Sequence, residues 1–120
     1  MPKILTDAYR DATFFVPQNV EKTEGFSCTP LPLTLQQKLL NEARKEAGGD
    51  DQLVTSIYQR KALQNCVKSW VGYTDVAGVE LECSPEVIKE LCNCDPSHTT
   101  NMQIRLENVA RIGELEERKN

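Results

Sequence analysis

A chain of 120 residues, 39% hydrophobic and 27% charged, has the size and balance of one globular domain that can bury a core without disulfides. Its net charge of −4, with fourteen basic residues spread along the chain, argues against a general nucleic-acid surface, which needs clustered Lys and Arg. Apolar runs of three or four residues are too short to cross a bilayer.

The N-terminus carries Asp7 and Asp11 where an export signal needs an uninterrupted apolar stretch, so a cytoplasmic protein is expected. Five cysteines without an export signal are expected to be thiols. To about Leu33 the chain reads as extended. Thr13-Phe14-Phe15-Val16 is β-branched and aromatic and stops at Pro17. Phe26, Cys28 and Leu31 form a second extended piece broken by Pro30 and Pro32, and the polar stretch 18–25 joins the two. The result is a two-stranded ribbon that must pack on something else to be stable.

A first helix is predicted from Thr34, where Thr34 and Gln37 have capping-box spacing. Leu35, Leu39, Leu40 and Ala43 share one face, and Gly48-Gly49 ends the helix. The segment from Asp51 to about Trp70 reads as the central helix. Leu53, Ile57, Leu63, Val67, Trp70 and Val71 group on one broad face, which Val54, Tyr58, Ala62 and Cys66 widen. So little polar surface implies burial by several neighbours.

Beyond it, Val79, Leu81 and Cys83 alternate with Glu80 and Glu82, the period of a strand with one wet face. With a turn at Asp75-Val76-Ala77-Gly78, this predicts a hairpin in which residues 70–74 pair with 79–83. Trp70 is read as the core aromatic that anchors this hairpin to the central helix. Ser84-Pro85-Glu86 then starts a helix, with Ser84 as cap and Val87, Ile88 and Leu91 as its buried side. Asp95-Pro96 breaks the chain, and a last helix runs from about Ser97 towards the C-terminus. Met102, Leu106, Val109 and Gly113 share one face of it. Ile104 and Leu115 fall on roughly the opposite face and are candidate contacts for a second copy or another protein. The whole predicts one domain over residues 1–120, extended to residue 33 with a helical core over 34–118. The fold class is α+β and predominantly helical, with about four helices, a short N-terminal β ribbon and a β-hairpin near residues 70–83.

Few residues suggest site chemistry. Cys83, Cys92, Cys94 and His98 are four possible zinc ligands, but C-x8-C-x-C-x3-H is not a structural zinc pattern. Cys83 and Cys92 also suit the buried faces of their elements as small hydrophobes. No stoichiometric metal and no cofactor are therefore expected. Cys94 and His98 stand four apart, as a nucleophile and its base could, without an oxyanion cradle in the surrounding sequence. Gly-rich phosphate loops, G-x-S-x-G, H-E-x-x-H and EF-hand patterns do not occur. The reading is of a non-enzymatic protein that works by binding other proteins. One segment has a charge bias: Asp75, Glu80, Glu82, Glu86, Glu90 and Asp95 face Lys89 alone. It can steer a basic partner or serve simply as a solvated surface.

The stretch Val67-Lys68-Ser69-Trp70-Val71-Gly72-Tyr73-Thr74-Asp75, through Gly78-Val79-Glu80-Leu81-Glu82-Cys83-Ser84 to Glu86-Val87-Ile88-Lys89-Glu90-Leu91, resembles small phage tail assembly chaperones. That group has an apolar helix ending in a Trp-Gly-type turn, then a hairpin with a Gly-containing bend, a Ser-capped helix and a short C-terminal helix. The resemblance covers the last two-thirds loosely and residues 67–91 best, and the Cys92-Asn93-Cys94 run departs from it. It implies an assembly factor that coats the tape measure protein, helps recruit tail tube subunits, and is absent from the finished virion. Self-association is a further expected contact, whereas nucleic acid and membrane are not expected partners. The rival readings are a small Cys/His metal-stabilised module and another phage tail or connector component.

Overall fold

The computed structural model describes residues 12–108. Among them are three strands, β1 (Phe14–Pro17), β2 (Gly25–Cys28) and β3 (Val67–Val71). Four helices accompany them among the described residues: α1 (Leu33–Ala47), α2 (Asp51–Cys66), α3 (Pro85–Cys94) and α4 (Pro96–Glu107). The fold is α+β and predominantly helical, as the periodicities predict.

The N-terminal ribbon forms with Phe15 opposite Ser27 and Val16 opposite Phe26. Its turn is held by Asn19, whose side-chain oxygen accepts from the backbone N–H of Thr23 and Glu24 at 2.9 and 3.0 Å. Gly25 is required by close approach, because a Cβ there would lie 2.1 Å from the Val16 carbonyl oxygen. The ribbon packs on a third strand that the sequence pattern misassigns. The central helix stops at Cys66 rather than near Trp70, and residues 67–71 turn directly into β3, antiparallel to β2. Val67 and Trp70 are both buried although three residues apart, which a regular strand does not allow. A bulge resolves this: Ser69 opposes Ser27 while Val67 opposes Cys28, so Lys68 is the extra residue. Val71, expected on the buried helix face, is half-exposed on the strand instead.

The predicted hairpin at 70–83 survives in shortened form. Trp70 belongs to β3, and the pairing that remains is a single bridge between Thr74 and Glu80. Asp75 N–H donates to Val79 O at 2.9 Å and Leu81 N–H to Tyr73 O at 2.7 Å. The Asp75 carboxylate closes the turn by accepting from the backbone N–H of Ala77 and Val79.

Helix α1 begins one residue before Thr34, on Pro32, and no side chain caps it, so the Thr34/Gln37 capping box does not form. Gln36 does related work by donating to Leu31 O at 2.8 Å. Gly48 ends the helix in the left-handed conformation, at φ 62°. Asp50 caps α2, Ser84 caps α3, and Asp95 caps α4, which starts at Pro96 rather than Ser97. Helix α2 packs against α1, α3, α4 and β3. At its inner end Ala62, Leu63 and Cys66 are fully buried, while Leu53 at its outer end is 48% exposed. Every element supplies the core: Val16, Phe26, Leu39, Leu63, Ile88, Met102 and Leu106 meet around α2. No described helix is long and apolar enough to cross a membrane.

Candidate functional site

Two surface features meet at the segment between β3 and α3. The first is a polar cleft of ≈ 320 Å³ built around Tyr73, just past the end of β3. Trp70 sets its position. The indole is 6% exposed, and its Nε1–H donates to Leu81 O at 2.8 Å, tying β3 to the returning chain. Tyr73 stacks on Trp70 with ring centroids 4.6 Å apart and planes 10° apart, and His98 meets Tyr73 edge-on at 5.2 Å. The Tyr73 hydroxyl donates to Gln18 Oε1, so its oxygen is left as an acceptor. His98 Nε2, 2.9 Å away, is therefore the donor in this contact. Burial pushes the Tyr73 phenol well above its ordinary value, against the smaller lowering effect of the Gln18 hydrogen bond. The phenol therefore stays protonated at neutral pH and keeps donating. The cluster joins the β1–β2 turn, the exit of β3 and the start of α4.

The second feature is an open groove of ≈ 550 Å³ between α3 and the 73–81 turn. Val87, Leu91 and Cys94 of α3 line it with Leu81, and Glu86, Lys89 and Glu90 stand at its edges. Spacing explains the lining, since positions i, i+4 and i+7 share a helix face. Val87 and Leu91 were expected to be buried; they are half-buried, and Ile88 alone of α3 sits fully in the core.

The candidate metal ligands separate. Cys92 faces Arg60 and Gln59 of α2, beside Pro96, whereas Cys94 lines the groove on another side of α3. With one residue between them they point about 200° apart on the helix. Cys83 lies in the loop before α3, half-buried against the core, and His98 is engaged with Tyr73. Among the described residues no group of three or more His, Cys, Asp or Glu side chains is placed to hold a metal ion. Cys94 and His98 are likewise not one unit, because the first lines the groove and the second the Tyr73 cleft. All five cysteines are thiols. Burial raises Cys28, Cys66, Cys83 and Cys92 above the ordinary thiol value, which keeps them protonated and weakly nucleophilic.

Of the two candidate partner contacts, Ile104 is 55% exposed on α4, and Leu115 lies outside the described residues. The Tyr73 cluster went unread in the sequence because its members, at 18, 73 and 98, share no local spacing. The groove did leave a signal, the Val87/Leu91/Cys94 stripe. Compared with known proteins, the chain matches no family model, no curated protein and no solved structure.

Proposed function

We propose that this chain is a non-enzymatic phage tail assembly chaperone, a cytoplasmic adaptor that binds the tape measure protein and helps recruit tail tube subunits. The carrying observation is the groove of α3, an open apolar surface whose lining residues Leu81, Val87 and Leu91 pack against the core and are still only half-buried. A groove between a helix and a turn suits the apolar face of a client helix. It falls within residues 67–91, where the resemblance to tail assembly chaperones is best. The polar groups of the neighbouring cleft support a binding role rather than turnover. Tyr73, Gln18 and His98 satisfy one another, and Tyr73 is held protonated.

Two observations test this. The gene belongs between a tail tube gene and a very long tape measure gene. Co-expression with that tape measure protein should then move it from the pellet to the supernatant and yield a complex of the two. Neighbouring genes of unrelated kind, or a tape measure protein that stays in the pellet, would overturn the reading.

A further inference from the structure

The groove has a definite charge setting as well as an apolar floor. Glu86 and Glu90 line it together with Lys89. Asp75, Glu80, Glu82 and Asp95 lie in the chain segments on either side of the helix, and all six carboxylates are exposed. Lys89 is the one basic residue of that segment. The described ion pairs lie elsewhere, between Glu46 and both Arg60 and Lys61. Asp75 and Asp95 are occupied as turn and cap acceptors, at 2.9 and 3.2 Å from their backbone donors. Among the described residues, Glu80, Glu82, Glu86 and Glu90 have neither an ion pair nor a side-chain hydrogen bond. An apolar floor with a net negative rim is complementary to an apolar stripe flanked by cations.

We propose that this groove receives an amphipathic helix of a partner protein, with aliphatic residues at i, i+4 and i+7 and Lys or Arg beside them. The inference rests on the adaptor reading above and adds the chemistry of the recognised segment. Leu81, Val87, Leu91 and Cys94 take the aliphatic stripe, while Glu86 and Glu90, one turn apart on α3, meet the flanking cations. A small-molecule ligand fits less well. Such sites use a few fixed polar groups to orient what they bind, and the polar groups here are exposed rim side chains. A helix spreads its contacts along the groove and needs no buried polar anchor.

The test uses two fluorescein-labelled helical peptides with the same leucine stripe, one flanked by lysines and one by glutamates. Anisotropy at low salt should show the lysine peptide binding at least about tenfold more tightly, with the gap closing as salt screens the rim. Glu90→Lys should weaken the lysine peptide and strengthen the glutamate peptide. This variant is expected to fold, because Glu86 and Lys at 90 make a favourable i,i+4 pair in place of two like charges. Equal binding of the two peptides, no binding of either, or insensitivity to Glu90→Lys would overturn the proposal. So would occupation of the groove by a second copy, seen as a doubled light-scattering mass that Glu90→Lys halves. If the chain solubilises a tape measure protein but ignores the peptides, the groove proposal alone fails. If it binds the lysine peptide but no tape measure protein, the chaperone reading alone fails.

Discussion

The sheet and α3 both lean on α2, yet they use their side chains in opposite ways. In the sheet, Val16, Phe26, Cys28, Val67 and Trp70 all point into the core and are at most 6% exposed. Helix α3 commits only Ile88 fully and leaves Val87 and Leu91 half in solvent. The strands are paired in register and α3 is capped by Ser84, so both regions are regular structure and differ in how they use their side chains. It separates residues that hold the fold from residues that the fold holds up. Substitutions in the sheet should therefore act on stability, and substitutions on α3 should act on association.

Trp70 gives the strongest test of that division. Its truncation removes a buried aromatic, empties the space beside Tyr73, and leaves Leu81 O without its indole donor. Trp70→Ala should cost about 3–5 kcal/mol, the usual range for a buried aromatic cut to alanine. Urea unfolding measures it, and an unchanged midpoint would place Trp70 on the surface as a contact residue.

Alkali should expose the next effect. Burial, reinforced by the neighbouring Cys66, pushes the Cys28 thiol up to about 12 from its ordinary 9.0. The unfolded chain gives up this proton near pH 9 while the folded chain keeps it. The contribution of Cys28 is thus complete below pH 9 and is lost as pH rises to about 12. Cys66 and Tyr73 are raised as well and act in the same direction. Urea midpoints should fall across this window, and Cys28→Ala, less stable overall, should show a shallower fall. A flat wild-type profile would mean that solvent reaches the thiol.

The cap of α3 comes third. Ser84 Oγ accepts from Val87 N–H at 3.2 Å, and Ser84→Ala should cost about 1 kcal/mol, typical of a lost N-cap. Because α3 carries the groove lining, the same variant should also loosen binding of a groove ligand. Stability and binding falling together would tie the groove to the capped geometry. Loss of stability alone would show that the lining does not depend on it.

Sequence periodicity recovers the ribbon, the helix starts at Asp51 and Pro85, and the Gly48 stop, because each is set by residues close in the chain. It fails at β3 for a specific reason. Val67, Trp70 and Val71 stand at i, i+3 and i+4, which is helix spacing. The bulge at Lys68 produces the same three-residue interval in a strand, and only the partner strand β2 distinguishes the two cases. The Thr34/Gln37 box fails because Pro32 already fixes an extended entry and Gln36 reaches Leu31 O. The Tyr73 cluster was invisible, being assembled from three distant segments. The acidic bias of 75–95 is readable, but that Glu86 and Glu90 of this set border an apolar groove depends on how α3 sits against Leu81.

The smallest expected effect lies on α4, which presents both behaviours on one helix. Met102 and Leu106 are fully buried, while Ile104, about 200° round from Met102, is 55% exposed. Ile104→Glu places a carboxylate where the side chain already meets water, so it should change unfolding by no more than about 0.5 kcal/mol. Isolated exposed aliphatics are common on monomers, so exposure alone does not make Ile104 a contact. The decisive comparison is with Met102→Glu, which buries an unpaired charge and should prevent folding altogether. If Ile104→Glu keeps the melting temperature and lowers the light-scattering mass or client binding, that face of α4 is a contact surface. If it keeps all three, the residue is incidental. A loss of more than about 1 kcal/mol would mean that α4 is covered on both faces, and the boundary between fold-holding and fold-held residues would move outward to include it.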